Sequence, residues 1–315
     1  MNKVVVVGSA NIDLIMRSQE LPRVGETRWD GVFSSALGGK GANQAIAAQR
    51  AGADVIFIAR VGNDEYGRSM ITACRQAGVE TRYIASDPDL PTGIAMIGID
   101  HRGRNTIVVS PGANAGLLPG DIEQAAAEFH NADTILLQLE VPAESVAAAI
   151  RLAASCGRQV LLNPAPAVEL EDSLYKDLHV IIPNEVEAEM LSGISVADPP
   201  GLAGAAAFFL DKGVRNVVIT LGERGVYVAD RKGSDLVSSY KILPLDTTGA
   251  GDVFCGFLAK ALAKNRTITE AVHWANAGAA LSTTRLGAIP SIPDWQQVED
   301  FLRSKPEMNH SQGAY

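Results

Sequence analysis

The chain has 315 residues, 47% of them apolar, 20% charged and 5% aromatic, and 27 Lys+Arg against 36 Asp+Glu leave a net charge of −9. These values exclude an intrinsically disordered chain and a disulfide scaffold. An acidic balance with no Lys/Arg run also argues against a nucleic-acid binder, which needs a concentrated positive field.

The length suits one domain, 1–315, with a large core and some embellishments. Met1-Asn2-Lys3 leads straight into Val4 to Val7, an apolar stretch too short for a signal peptide. No apolar run approaches the ~20 residues of a membrane span. Cys74, Cys156 and Cys255 are odd in number and far apart, without metal-ligand or disulfide spacing. The expectation is a reduced, cytoplasmic protein with no membrane partner.

In chain order, short β-branched runs at 3–8, 55–59, 134–139, 159–163, 180–182 and 216–220 are almost continuously apolar. That pattern predicts strands buried on both faces of a sheet. Helical stretches alternate with them. Residues 65–77 stop at Gly78, 142–156 open on Pro142 and stop at Gly157, and a helix from about 268 is announced by Thr267 and Glu270 as a capping box. Such alternation predicts an α/β fold with a mostly parallel sheet covered on both sides. Residues 14–36, with Pro22, Gly25 and Gly31, and residues 92–112, with two strands around a turn at 101–104, break the alternation. They are expected to form a small antiparallel β-lid at the sheet's edge, the alternative being two surface loops. The tail 307–315 is polar and expected to fray.

In an open parallel sheet, ligands bind beyond the carboxyl ends of the strands. The first strand runs on into Asn11 and Asp13, others end in Glu140, Asn163, Asn184 to Glu187, and Thr220 to Gly222. So many polar ends on one rim point to a site for a polar small molecule. Two glycine-rich segments add to it. Gly38-Gly39-Lys40-Gly41-Ala42-Asn43 is not a Walker A loop, because Lys40 is followed by Gly. Its backbone amides, Lys40 and Asn43 are donors for a ligand, although a tight turn into a helix explains it equally well. Asp246-Thr247-Thr248-Gly249-Ala250-Gly251-Asp252 opens a helix over 253–264 and fails the dinucleotide fingerprint at Phe254. Small residues at a helix start aim unpaired N–H groups and the positive dipole end outward, which stabilises an anion. Asp252 is either a favourable helix-start carboxylate or a base beside an anion hole, the pair that phosphoryl transfer needs.

These segments, with Leu162-Asn163-Pro164-Ala165-Pro166-Ala167, Pro183-Asn184-Glu185-x-Glu187-Ala188-Glu189 and Ile219-Thr220-Leu221-Gly222-x-Arg224-Gly225-Val226, occur in one order over some 250 residues. Together they resemble the ribokinase/PfkB carbohydrate kinase family along nearly the whole chain. The resemblance implies a ribokinase-like three-layer sandwich with a β-lid that also serves as a homodimer contact. It implies transfer of the ATP γ-phosphoryl group to a sugar hydroxyl, for ribose O5. Asp252 matches the family's base, and Gly249, Ala250, Gly251 and Asp252 its anion hole. Asn11, Asp13, Gly39, Lys40, Asn43 and Glu140 match the sugar positions. Thr220, Gly222, Gly225, Gly251 and Asn276, with Asn184, match the nucleotide positions. Asn184 and Glu187 match the motif that organises Mg²⁺ through water, and Asp246, Thr248, Ser282, Arg285, Gly287 and Ser291 the K⁺ site.

Other readings stand beside this one: a kinase for deoxyribose, fructose or a nucleoside, a non-catalytic sugar- or nucleotide-binding protein, and a nicotinamide oxidoreductase. The last lacks the glycine spacing. Cys255 is expected to pack its helix, and Trp29 either contacts the sugar or fills the lid.

Overall fold

The computed structural model describes residues 2–305, so the tail 307–315 lies outside the described residues. Its strands in chain order are β1 (Lys3–Val7), β2 (Asn11–Arg17), β3 (Val32–Gly38), β4 (Asp54–Gly62), β5 (Ile84–Asp87), β6 (Gly93–Ile99) and β7 (Asn105–Ser110). There follow β8 (Thr134–Leu137), β9 (Gln159–Leu162), β10 (Val180–Ile181), β11 (Asn216–Thr220), β12 (Val226–Asp230) and β13 (Gly233–Val237).

Nine strands form one sheet in the order β13-β12-β11-β10-β9-β8-β1-β4-β5, parallel from β11 to β5, with β12 and β13 antiparallel at one edge. The valine run of β1 explains the continuous apolar signal. Val4 and Val6 enter one core with the helices Lys40–Arg50, Ala250–Ala263 and Ile268–Ser282. Val5 and Val7 enter a second core with Ala143–Ser155 and Pro199–Asp211 on the opposite face. The three layers are those expected. The predicted caps hold as well: Thr267 and Glu270 close a reciprocal capping box.

The helix Ala250–Ala263 is buried from Asp252 to Ala263, the mark of a helix packed on all sides. Each Phe or Leu it buries contributes roughly 1.5–3 kcal/mol, so its position is strongly fixed. It lies against Lys40–Arg50 at a contact only glycine permits. A Cβ on Gly256 would stand 2.6 Å from the Cβ of Ala47 and 2.7 Å from the amide of Ala48. That contact, one turn beyond Asp252, brings the first turns of the two helices together.

The remaining strands make a second sheet, β3-β2-β6-β7. Two of its three pairings are antiparallel, and β2 runs parallel to β6. On the face opposite Asp13, Phe33, Met96 and Val108 are exposed. The sheet begins earlier than the expected residue 14, and this corrects one reading: Asn11 and Asp13 are not the end of the first strand but belong to β2. β1 stops at Val7, and at Gly8 any Cβ would lie 1.9 Å from Oε1 of Gln138, so the chain leaves the large sheet there. Among the described residues no helix is long and apolar enough to cross a membrane.

Candidate active site

β1 is the strand from which the chain builds outward in both directions, to β4 on one side and to β8 on the other. Such a switch point opens a crevice at the carboxyl ends of the strands. Asp252 sits in it, buried, in the first turn of its helix. Both its oxygens are held by amides from the facing helix: Asn43 Nδ2 donates to Oδ2 at 2.9 Å, and Gln44 Nε2 to Oδ1 at 3.0 Å. Oδ1 of Asn43 is buried with no hydrogen-bond partner among the described residues, an acceptor pointing at nothing the chain supplies. Such an orphan is costly unless a ligand satisfies it.

Gly39, which caps this facing helix, has φ +90°, and a Cβ there would stand 2.7 Å from the amide of Asn11. The glycine run is thus required for the lid strand to touch the helix start. Lys40 N–H donates to Glu140 Oε2 at 3.1 Å, and the Ser9 hydroxyl donates to the same oxygen at 2.5 Å. Asn11 is oriented by Asn114, whose Nδ2 donates to Asn11 Oδ1 at 2.7 Å and to the Pro111 carbonyl at 3.0 Å while its Oδ1 accepts from Ala10 N–H at 2.8 Å. Asn11 therefore presents its own Nδ2 as a free-facing donor. The predicted sugar positions Asn11, Asp13, Gly39, Lys40, Asn43 and Glu140 thus lie on adjoining elements around Asp252.

Charge is concentrated here. Asp13 is pushed up to about 6 by burial and by the charges of Glu140 and Asp252, with Lys40 opposing. Burial raises Asp252 as well, against the pull of Lys40, Gln44 and Asn43. Burial would lower Lys40, but Asp252, Glu140 and Glu187 outweigh it and hold the ammonium above its ordinary value. One lysine thus faces several carboxylates, so an anionic ligand needs a cation to accompany it.

Beside Asp252 a cavity of about 140 Å³ is lined by Lys40, Asn163, Asn184, Glu187, Gly249 and Cys255, among others. A second, of about 510 Å³, is lined by Gly222, Gly225, Tyr240, Phe254, Asn276 and Ala280, among others. Asn184, Thr220 and Gly251 line both, so the two are continuous. The larger cavity holds the predicted nucleotide residues, with Asn276 fixed by donation to the Ser238 carbonyl at 2.9 Å. Asn184 and Glu187 form a capping box: Asn184 Oδ1 accepts from Glu187 N–H, and Glu187 Oε2 from Asn184 N–H. Burial raises Glu187. No group of three or more His, Cys, Asp or Glu able to hold a metal exists among the described residues. One buried carboxylate with a few oxygen donors fits Mg²⁺, which keeps waters and takes its other ligands from phosphates.

Gly249 caps the helix in a left-handed conformation, φ +76°. Of the amides expected in the anion hole, that of Ala250 donates to the Thr247 carbonyl at 3.2 Å, and the helical ladder begins with Val253 N–H on Gly249. The amides of Gly249, Gly251 and Asp252 donate to no carbonyl among the described residues, and those of Gly251 and Asp252 stand in the helix's open first turn.

The expected cation residues converge in part. Asp246 Oδ1 accepts from Thr248 N–H at 2.9 Å, and Oδ2 from Gly287 N–H at 2.8 Å. The Ser282 and Ser291 hydroxyls donate instead to the Ala279 and Ala288 carbonyls, and Arg285 N–H donates to the Ser282 carbonyl. Among the described residues no hydrogen bond joins Ser282, Arg285 or Ser291 to Asp246. Trp29 is exposed on the lid loop and fills nothing. Sequence reasoning gave no role to Ser9, Gln44, Asn114 or Gln138; the one available signal was Gln44's place beside Asn43 in a helical first turn.

A profile of the pfkB family carbohydrate kinases matches residues 1–295. The chain is 40% identical over 297 residues to the ribokinase of Haemophilus influenzae, covering 94% of this chain and 97% of that protein. It is 35% identical over 300 residues to the deoxyribokinase of Salmonella typhi, covering 95% and 98%. The solved structure of Arabidopsis thaliana ribokinase complexed with ribose and ATP superimposes with a TM-score of 0.91 at 30% identity, covering 96% and 99%.

Proposed function

The chain belongs to the PfkB family of carbohydrate kinases, and from that premise we propose that it is an ATP-dependent ribokinase, transferring the γ-phosphoryl group to O5 of ribose. The observation that carries this reading is Asp252, pinned by two amides where a small polar cavity meets the larger one. ATP lies in the 510 Å³ cavity with its phosphates toward Gly251, and the sugar lies under the lid against Asn11, Asp13 and Asn43. Asp252 accepts the O5 proton as the oxygen attacks phosphorus. The unpaired amides of Gly251 and Asp252, with Lys40, neutralise the charge that spreads over the transferring group. Glu187 and Asn184 would hold Mg²⁺ through water, and the ion would supply electrostatic neutralisation of the phosphates.

Asn11 separates ribose from deoxyribose. Its free Nδ2 donates to a hydroxyl that a 2-deoxy sugar lacks, and an unpaired buried donor costs roughly 1–3 kcal/mol. Ribose is expected to be preferred by about 5- to 150-fold in kcat/KM. A coupled assay of ADP release over a sugar and nucleoside panel tests this, and a preference for deoxyribose refutes it. The same assay run in K⁺ and in Na⁺ tests a monovalent cation at the Asp246–Gly287 loop: turnover is higher in K⁺, and an indifferent enzyme has no such site. The exposed apolar face of the lid, with Phe33 and Val108, covers itself in a homodimer, so a monomer by sedimentation at micromolar concentration overturns that contact.

A further inference from the structure

Gln44 belongs to neither cavity, yet it is wholly buried and touches Asp252. Its orientation is forced from a distance. The Ile182 carbonyl can only accept, so Asn163 must turn its Nδ2 to it, at 2.9 Å, and its Oδ1 away. That oxygen then takes one hydrogen of Gln44 Nε2, at 3.1 Å, and the other goes to Asp252 Oδ1, at 3.0 Å. Oε1 of Gln44 accepts from Gln138 Nε2 at 2.6 Å. Every hydrogen-bonding group of the Gln44 side chain has a partner. Turned end for end, the amide would set an acceptor against two acceptors and a donor against a donor.

The geometry points to Gln44 as a positioning residue for phosphoryl transfer, a donor locked through Asn163 to the Ile182 backbone and through Gln138 on its other side, which aims the Asp252 carboxylate at the sugar hydroxyl. The two amides on Asp252 therefore divide the work. Asn43 keeps an unpartnered oxygen for the sugar, whereas Gln44 has nothing left for a ligand and acts through Asp252 alone. A near-attack geometry lost by a fraction of an ångström is costly in rate and nearly free in binding.

This inference rests on the kinase reading above, and the experiment separates the two. The full-length enzyme, Gln44→Met and Gln138→Met are compared for kcat, KM and the Kd of ribose. Gln44→Met keeps length and volume but donates nothing, and should lower kcat about 10- to 100-fold. Its ribose Kd should stay within about twofold. Gln138→Met leaves Gln44 in place but removes one of its locks, and should lower kcat less, again with Kd unchanged. A kcat for Gln44→Met within about twofold of wild type overturns the assignment, as does a loss of ribose binding that matches the loss of turnover. If neither variant folds, the amides are structural and the assignment fails. A wild-type enzyme that phosphorylates a different sugar refutes the ribose reading instead, and the same ratios are then read on that sugar.

Discussion

Asp252→Asn is expected to lower turnover by about 10²- to 10⁴-fold, the usual contribution of a general base, with ribose and ATP still bound. The substitution keeps the shape of the side chain and removes the charge that accepts the proton. It also meets a local conflict. Asn43 and Gln44 each aim an N–H at the carboxylate, so one end of the new amide opposes a donor. The cost falls on the two amides around residue 252, because the helix that carries it is anchored by its buried apolar side chains. Since burial, with the charge of Glu140, raises Asp252 above its ordinary value, loss of the charge relieves a penalty in the ligand-free enzyme and offsets part of that conflict. Steady-state kcat on ribose with saturating ATP, set beside ribose binding by calorimetry, tests the prediction. Turnover near the wild-type value removes Asp252 from the mechanism.

The layers of the fold and the glycine motifs were legible because their signals are local. β1 reads as buried on both faces from four valines, and Thr267 with Glu270 announces a helix within four residues. The position of Asp252 at a helix start was equally plain, since Gly249 and Gly251 stand beside it. The supports of the site were not, because they are contacts between distant parts of the chain. Asn114 orients Asn11 across 103 positions, and Gln44 reaches Asp252 across 208. Nothing in the identity of a buried Gln says which amide faces it. The sequence puts Asn11 and Asp13 at the end of the first strand, whereas they lie on β2 of the smaller sheet. Both readings place them just past Val7, and only the pairing of β2 with β3 and β6 tells the two apart. The acidic balance of the chain likewise has a location: Asp13, Glu140, Glu187 and Asp252 gather around the one Lys40.

Asp13→Asn should stabilise the ligand-free enzyme and at the same time weaken its hold on ribose. Asp13 is pushed up to about 6 in the folded protein, from an ordinary value of 3.8, first by burial and then by Glu140 and Asp252. The sign follows from which state holds the proton. Below both values the group is protonated, folded or unfolded, and contributes nothing. As pH rises from 3.8 to about 6 the unfolded chain ionises first, so folding loses stability across that window. Above it the penalty is constant, on the order of 3 kcal/mol, because one pH unit is worth about 1.4 kcal/mol. Asn carries no such penalty, so the gain in Tm should be largest at pH 7–8 and vanish toward pH 4. Ribose binding moves the other way. A hydrogen bond to a charged acceptor contributes roughly 1.5–3 kcal/mol, so KM should rise about 10- to 100-fold. The wild-type KM should itself climb as pH falls through about 6, as the carboxylate that accepts from the sugar is protonated. Thermal unfolding of both proteins from pH 4 to pH 8, with ribose KM over the same range, tests both halves. A variant no more stable than wild type at pH 8 shows that Asp13 carries no charge penalty in the empty site. An unchanged ribose KM shows that Asp13 does not bind the sugar.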